Sequence, residues 1–363
     1  MVVKFAKSSK DLVPEFLETG NIGLDMALSN GKGLPIGGCV IFYSAPGAGK
    51  STLTADALRR ILTKYEKEDL PYRALYIDIE GSNDLLYKTG LAKFIDDEHG
   101  HRLLYQGGYT NFDDLEEMCK GIIKGDKEYE NVKLVVIDSL TMLMSEQEEN
   151  KDLNSGDFGT ANRIRNTFYR KYVSVMKDLG ISFIFISQQR ANQQAGMFGD
   201  PKKSALADGD NHIADIILKL SKSEGGSRTD IKKQDVQVST SEKAVKLSPH
   251  FITKISKSKN RYVNMPDIEI LCTYGRGVQN RFILNTMLSN YKMAANKGSA
   301  RSPKWWIDED LNAYTGGTFE YECGTQEYLT WINANIQGIK DYLRSKDMYR
   351  VVSDEDAADG VDE

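Results

Sequence analysis

The stretch with the most chemistry in it is Ser44-Ala45-Pro46-Gly47-Ala48-Gly49-Lys50-Ser51-Thr52. Small residues let successive backbone N–H groups curl round an anion, and a helix starting there adds the partial positive charge of its N-terminus. Lys50 can reach the β- and γ-phosphates of a nucleotide, and the Ser51 hydroxyl can ligate Mg²⁺. The pattern is G-x-x-x-x-G-K-[ST], the P-loop, with its second half intact and Ser44 in place of the opening glycine. A second run, Leu134-Val135-Val136-Ile137-Asp138-Ser139, reads as a Walker B strand whose terminal Asp138 positions the metal and its water. Apolar runs ending in aspartate are common, so this one gains its meaning from the P-loop upstream. The pair predicts ATP binding with Mg²⁺ but does not reveal what the energy is used for.

Such a site needs strands that end at one edge of a sheet. Four nearly continuous apolar runs supply them: Cys39–Tyr43, Ala74–Ile79, Lys133–Ile137 and Ile181–Ser187. Runs of this kind read as strands buried on both faces of a parallel sheet. Between them, Lys50–Tyr65 and Arg163–Leu179 carry apolar residues at helical spacing, and the alternation predicts an α/β core with a mostly parallel central sheet. Further strand-like segments follow at Ile213–Leu220, Val245–Ser256 and Ile268–Tyr274. Beyond about residue 280 the pattern turns helical and mixed. Three polar stretches, Glu146–Gly159, Ala191–Asn211 and Ser221–Glu242, interrupt the core, and the first two follow predicted strands, where open α/β sheets carry their binding loops.

The 363 residues, 40% hydrophobic and 27% charged, fit a core-forming chain of roughly two domains and exclude a wholly disordered one. No run approaches the ~18 apolar residues of a membrane span, and Met1–Lys10 shows no signal core, so a cytoplasmic address is expected. Cys39, Cys119, Cys272 and Cys323 form no C-x-x-C pair, which argues for reduced, mostly buried thiols rather than a zinc site or disulfide framework. The net charge is −5, yet Asp354–Glu363 holds six carboxylates and no base, leaving residues 1–353 at +1. That body is close enough to neutral for local patches to decide whether it binds a polyanion. The acidic tail itself cannot form a packed element.

Around the two nucleotide motifs the sequence resembles the RecA family of homologous-recombination ATPases. Thr19-Gly20-Asn21-Ile22-Gly23-Leu24-Asp25-Met26-Ala27-Leu28 and Gly33-Leu34-Pro35-Ile36-Gly37-Gly38 match the family's entry to the P-loop strand. Tyr76-Ile77-Asp78-Ile79-Glu80-Gly81-Ser82-Asn83-Asp84 matches the strand that carries its catalytic glutamate, so the resemblance assigns activation of the attacking water to Glu80. It places Tyr87 on the adenine ring and Asp84 at the base's polar edge. Ile186-Ser187-Gln188-Gln189-Arg190 followed by Gly196-Met197-Phe198-Gly199-Asp200-Pro201 resembles the segment in which a glutamine senses the γ-phosphate and leads into a DNA-binding loop. Gln188 is then the sensor, with Arg190, Met197, Phe198 and Gly199 in or beside that loop. Ser155-Gly156-Asp157-Phe158-Gly159 matches a first DNA loop, with Arg163 and Arg170 at phosphate-contacting positions on the helix after it. Lys257 and Lys259 match a lysine pair that reaches the neighbouring subunit's ATP.

The resemblance runs from about Thr19 to Val278 and implies a RecA-like P-loop core over 19–280. A short arm for subunit contact (1–18), a small C-terminal domain (281–350) and an acidic tail (351–363) would flank it. It departs at Ser44, at Gly209-Asp210-Asn211, and in the shortness of the arm. The implied activity is a DNA-dependent ATPase that forms filaments on single-stranded DNA and exchanges strands with a duplex. Single-strand-binding and mediator proteins are the implied accessory partners, and no membrane is involved. Two other readings use the same residues: a hexameric helicase motor, and an ATP-binding paralogue or mediator that does not exchange strands.

Overall fold

The computed structural model describes residues 14–143, 158–191, 202–204, 210–222, 250–262, 267–273, 277–278, 294–296, 304–307 and 320–322, with 331, 334–335, 337–339 and 341. A two-stranded ribbon comes first, β1 (Phe16–Leu17) against β2 (Leu34–Pro35), with helix α1 (Ile22–Ser29) between its strands. The Asn21 side chain caps α1 by accepting from Leu24 N. The core strands are β3 (Cys39–Ser44), β4 (Arg73–Asp78), β5 (Leu103–Gly107), β6 (Val132–Asp138), β7 (Ser182–Ala191), β8 (Lys202–Ser204), β9 (Ile216–Lys222), β10 (His250–Asn260), β11 (Ile268–Thr273) and β12 (Gly277–Val278). Their order is β12-β11-β10-β9-β3-β7-β6-β4-β5, with β8 pairing β7 off this path. From β9 to β5 every pairing is parallel, and from β9 to β12 every pairing is antiparallel.

The parallel strands are continuous in apolarity because alternate residues enter different cores. Val40, Phe42, Tyr76, Val136 and Ile184 pack on one face with Leu53, Leu58 and Ile61 of α2 (Lys50–Lys67). Ile41, Ile77, Val135, Phe183 and Phe185 pack on the other. There they meet α4 (Phe112–Lys124) and the helical run α5 (Phe158–Phe168), a π-helical turn (Tyr169–Val173) and α6 (Ser174–Asp178). The short α3 (Asn83–Thr89) follows β4, and the single turn α7 (Asp210–Ile213) precedes β9. Cys39, Cys119 and Cys272 are buried free thiols, and burial pushes Cys119 and Cys272 up to about 12.

Two expected strands shift. Ile213 belongs to a helical turn, and its strand begins at Ile216. The strand expected over Val245–Ser256 is His250–Asn260; residues 245–249 lie outside the described ones. Its lysine-rich end does not look apolar, yet it continues the sheet by pairing with β9. Past residue 280 the described residues form a three-stranded antiparallel sheet, β13 (Ala294–Asn296), β14 (Lys304–Ile307) and β15 (Glu320–Glu322). Helical residues follow, and of these Trp331 and Ile339 are buried against the α2-side core.

Candidate functional site

Parallel register and alternation together assemble the site. Ser44 pairs with Gln188 across β3 and β7, and Asp78 pairs with Asp138 across β4 and β6. Ser44, Asp78 and Asp138 end their strands and Gln188 ends the pairing of β7 with β3, all in phase with residues of the α2-side core. The strands end where α2 begins, so the sheet edge and the helix N-terminus converge.

The P-loop bridges them. Ala45, Pro46 and Gly47 are exposed, while Ala48 and Thr52 are buried. Gly47 (φ 75°) and Gly49 (φ 90°) occupy the left-handed region that glycine tolerates. A Cβ built on Gly47 would meet nothing within 4 Å. Gly49 is the N-cap of α2 and gives no side-chain cap, and no acidic residue occupies the first turn. Helix N–H groups without a side-chain acceptor, under an open glycine turn, suit an external anion. Lys50 Nζ lies across the loop, donating to Ser44 Oγ at 2.8 Å and to the Ser44 and Ala45 carbonyls at 3.4 and 3.5 Å. Ser44, the departure from the P-loop pattern, is therefore a hydrogen-bond partner of the lysine. Burial lowers the Lys50 pKa, and the charges of Glu80 and Asp138 oppose that shift.

Asp138 is fully buried at the end of β6, and its peptide bond to Ser139 is cis. Oδ2 accepts the Tyr76 hydroxyl at 3.1 Å, whereas Oδ1 is buried without a hydrogen-bond partner. Burial pushes the carboxyl up to about 6; the Ser51 hydroxyl pulls it down and the Glu80 charge adds to the rise. An under-partnered carboxylate oxygen beside a serine hydroxyl is a hard oxygen donor set. It fits Mg²⁺, which takes one or two protein ligands and fills its octahedron with water and phosphate oxygens. Among the described residues no group of three or more His, Cys, Asp or Glu forms a self-sufficient metal cage.

Glu80 sits on the turn after β4, exposed, and that turn is fixed on β6: Ile79 N and Glu80 N donate to the Asp138 carbonyl at 2.7 and 3.3 Å. Asp78 is held by the Tyr105 hydroxyl and Gly81 N, each at 2.9 Å. Gln188 Nε2 donates to Glu80 Oε1 at 3.4 Å, joining the ends of β7 and β4. Lys50, Ser51, Glu80, Asp138 and Gln188 thus share one locality.

The other expected residues lie farther out. Tyr87 on α3 is 80% exposed, and the Asp84 carboxylate, held below its usual range by Lys88, pairs with that lysine at 2.5 Å. Lys257 pairs with Leu218 of β9, and Lys259 Nζ donates to the Ala214 carbonyl at 2.6 Å. Arg163 and Arg170 are exposed on the α5 run. Arg190 pairs through its backbone with Lys203 of β8, while Met197, Phe198 and Gly199 lie outside the described residues. Three residues that motif reading passed over belong to this region: Tyr76 and Tyr105, whose hydroxyls hold Asp138 and Asp78, and Thr253, which bonds the P-loop carbonyl of Ala48. Only the Tyr76 position was visible in sequence, as part of the strand carrying Glu80.

Comparison with known proteins agrees with this geometry. The family model for the RecA N-terminal domain matches residues 1–276. Protein RecA of Wigglesworthia glossinidia brevipalpis is 25% identical over 78% of this chain and 76% of its own length. Protein RecA of Mannheimia haemolytica is 23% identical over 96% of this chain and 84% of its own. Protein RecA of Mycoplasma genitalium reaches 29% over a shorter match, 54% of this chain and 52% of that protein.

Proposed function

This chain belongs to the RecA family, and from that premise we propose that it is an ATP-driven DNA recombinase that assembles on single-stranded DNA and exchanges strands with a homologous duplex. The observation that carries the reading is the Glu80–Gln188 contact beside a P-loop and an under-partnered Asp138. It sets a candidate base next to a residue that can report on the γ-phosphate.

In this reading Lys50 leaves Ser44 to meet the β- and γ-phosphates, and the amides of the loop and of the first turn of α2 take the remaining phosphate oxygens. Ser51 and Asp138 would hold Mg²⁺, which would supply positive charge to neutralise the phosphate oxygens. Glu80 accepts the proton of the attacking water and aligns it. Gln188 gives up Glu80 for the γ-phosphate, and because β7 runs directly into 191–211, that exchange re-aims the loop. Tyr87 stacks on adenine, with Asp84 at its polar edge. Lys257 and Lys259 face a neighbouring subunit's nucleotide, Lys259 releasing the Ala214 carbonyl to do so. Arg163, Arg170, Arg190 and the Met197–Gly199 segment contact DNA. A few such cations per subunit are multiplied along a filament. The arm 1–18 joins subunits, the core spans 19–280, the C-terminal domain 281–350 and the acidic tail 351–363. Single-strand-binding and mediator proteins are its partners in the cytoplasm. Among the described residues no helix is long and apolar enough to cross a membrane.

The test is electron microscopy of the protein with single-stranded DNA and a non-hydrolysable ATP analogue. Helical filaments are expected. Closed rings would select a hexameric motor, and neither form, with ATP binding intact, would select a mediator.

A further inference from the structure

The P-loop is fastened from outside its own strand and helix. Thr253, fully buried in β10, donates its hydroxyl to the Ala48 carbonyl at 2.8 Å. Among the described residues the other acceptor in reach, Cys272 Sγ, is 3.9 Å away and weak, so the proton goes to the carbonyl. β10 is an internal strand, paired through Thr253 with Ile270 of β11 and Lys222 of β9. It is therefore a rigid anchor. The Ala48 carbonyl and the Gly49 N–H belong to one planar trans peptide and point in opposite directions. Fixing the carbonyl toward β10 aims the N–H away from β10.

We propose that Thr253 is a positioning residue for the nucleotide: its hydroxyl presets the Ala48–Gly49 peptide for the phosphates and couples the P-loop to β10, the strand that carries Lys257 and Lys259. This inference rests on the P-loop's being the nucleotide site. It goes further in linking the loop, through one hydroxyl, to the strand that bears the candidate inter-subunit lysines. In this proposal phosphate contact at the loop reaches β10 through that one hydroxyl. A valine has nearly the same shape but cannot donate to the Ala48 carbonyl, so Thr253→Val removes the hydroxyl with little change in packing volume.

The test compares full-length wild type, Thr253→Val and Thr253→Ser, titrated with Mg-ADP in the absence of DNA. Loss of one buried neutral hydrogen bond should weaken Mg-ADP binding by about fivefold or more in Thr253→Val, while Thr253→Ser stays within about twofold of wild type. Amide exchange supplies a second readout. Mg-ADP should slow exchange at both 48–51 and 253–256 in wild type, and only at 48–51 in the valine variant. A purely structural role would lower the melting temperature and leave the affinity of the folded protein unchanged. Valine binding within twofold of wild type would overturn the proposal. Should the valine variant not fold, wild-type exchange decides, and protection that stops at the P-loop overturns it. If wild type binds no nucleotide, the nucleotide reading fails; faster exchange at 48–51 in nucleotide-free Thr253→Val still upholds the clamp, and unchanged exchange removes it.

Discussion

Two buried aspartates stand at opposite ends of the parallel sheet, and the chain treats them differently. Asp215, at the start of β9, takes the Cys39 N–H at 2.9 Å, Lys177 Nζ at 2.7 Å and Arg261 Nη1 at 2.8 Å. Burial pushes its carboxyl up, but these partners more than reverse that and hold it below the usual range. Asp138, at the end of β6, is met only by neutral hydroxyls, those of Tyr76 and Ser51, its Oδ1 is buried without a hydrogen-bond partner, and burial pushes it up to about 6. A carboxylate that ties a fold together is saturated by its own chain. One left short at the edge where a P-loop converges is, in the proposed function, the group that takes a cation from outside. Burial is common to both, and the supply of partners tells the structural charge from the functional one.

Removing each carboxylate separates them most strongly. Asp215→Ala leaves the buried Cys39 N–H without its acceptor and releases Lys177 and Arg261, and should lower stability by about 1–3 kcal/mol in a urea melt, with the nucleotide affinity of the folded protein unchanged. Asp138→Asn should do the reverse. Removing a carboxyl whose pKa is raised by roughly two units leaves nucleotide-free stability unchanged or higher by up to about 3 kcal/mol, while Mg²⁺-dependent ATP binding is lost. If Asp138→Asn melts like Asp215→Ala, the distinction collapses.

The same pair gives opposite pH slopes. Asp215, with its pKa depressed in the fold, contributes stability above the ordinary carboxylate pKa of 3.8 and loses it as pH falls through its lower native value. Asp138 binds its proton more tightly in the native state, so between pH 3.8 and about 6 nucleotide-free stability falls as pH rises. Asp138→Asn should remove that second slope and leave the first. In the wild type, Mg²⁺ competes with the proton, so its apparent affinity should drop as pH falls below about 6. A pH-independent Mg²⁺ affinity between pH 5 and 7 would contradict this. The smallest effect is expected at Ser44. Ser44→Gly restores the P-loop pattern and frees Lys50, which should tighten Mg-ATP by a few-fold, on the order of one hydrogen bond.

Strands and P-loop were legible because their signals are local. Doubly buried strands are apolar throughout, and Gly49-Lys50-Ser51 between a strand and a helix has few other uses. Asp138 was legible as a position, but its missing partner was not, since that depends on what surrounds it in the fold. Thr253 and Tyr105 were invisible because a lone threonine or tyrosine in a strand reads as ordinary β-propensity. Thr253 acquires its role only through a contact with Ala48, far away in the chain. The end of β10 was missed because Ser256–Asn260 is polar and is kept in the sheet by its neighbour.

The central claim is that the edge holding Lys50, Ser51, Glu80, Asp138 and Gln188 hydrolyses ATP, with Glu80 handling the water. Turnover and affinity of Glu80→Gln, measured together with Mg-ATP and single-stranded DNA, test it most directly. Turnover should fall by at least ~10²-fold, the scale of losing a general base, while Mg-ATP affinity stays within about threefold. Wild-type turnover in Glu80→Gln would contradict the account.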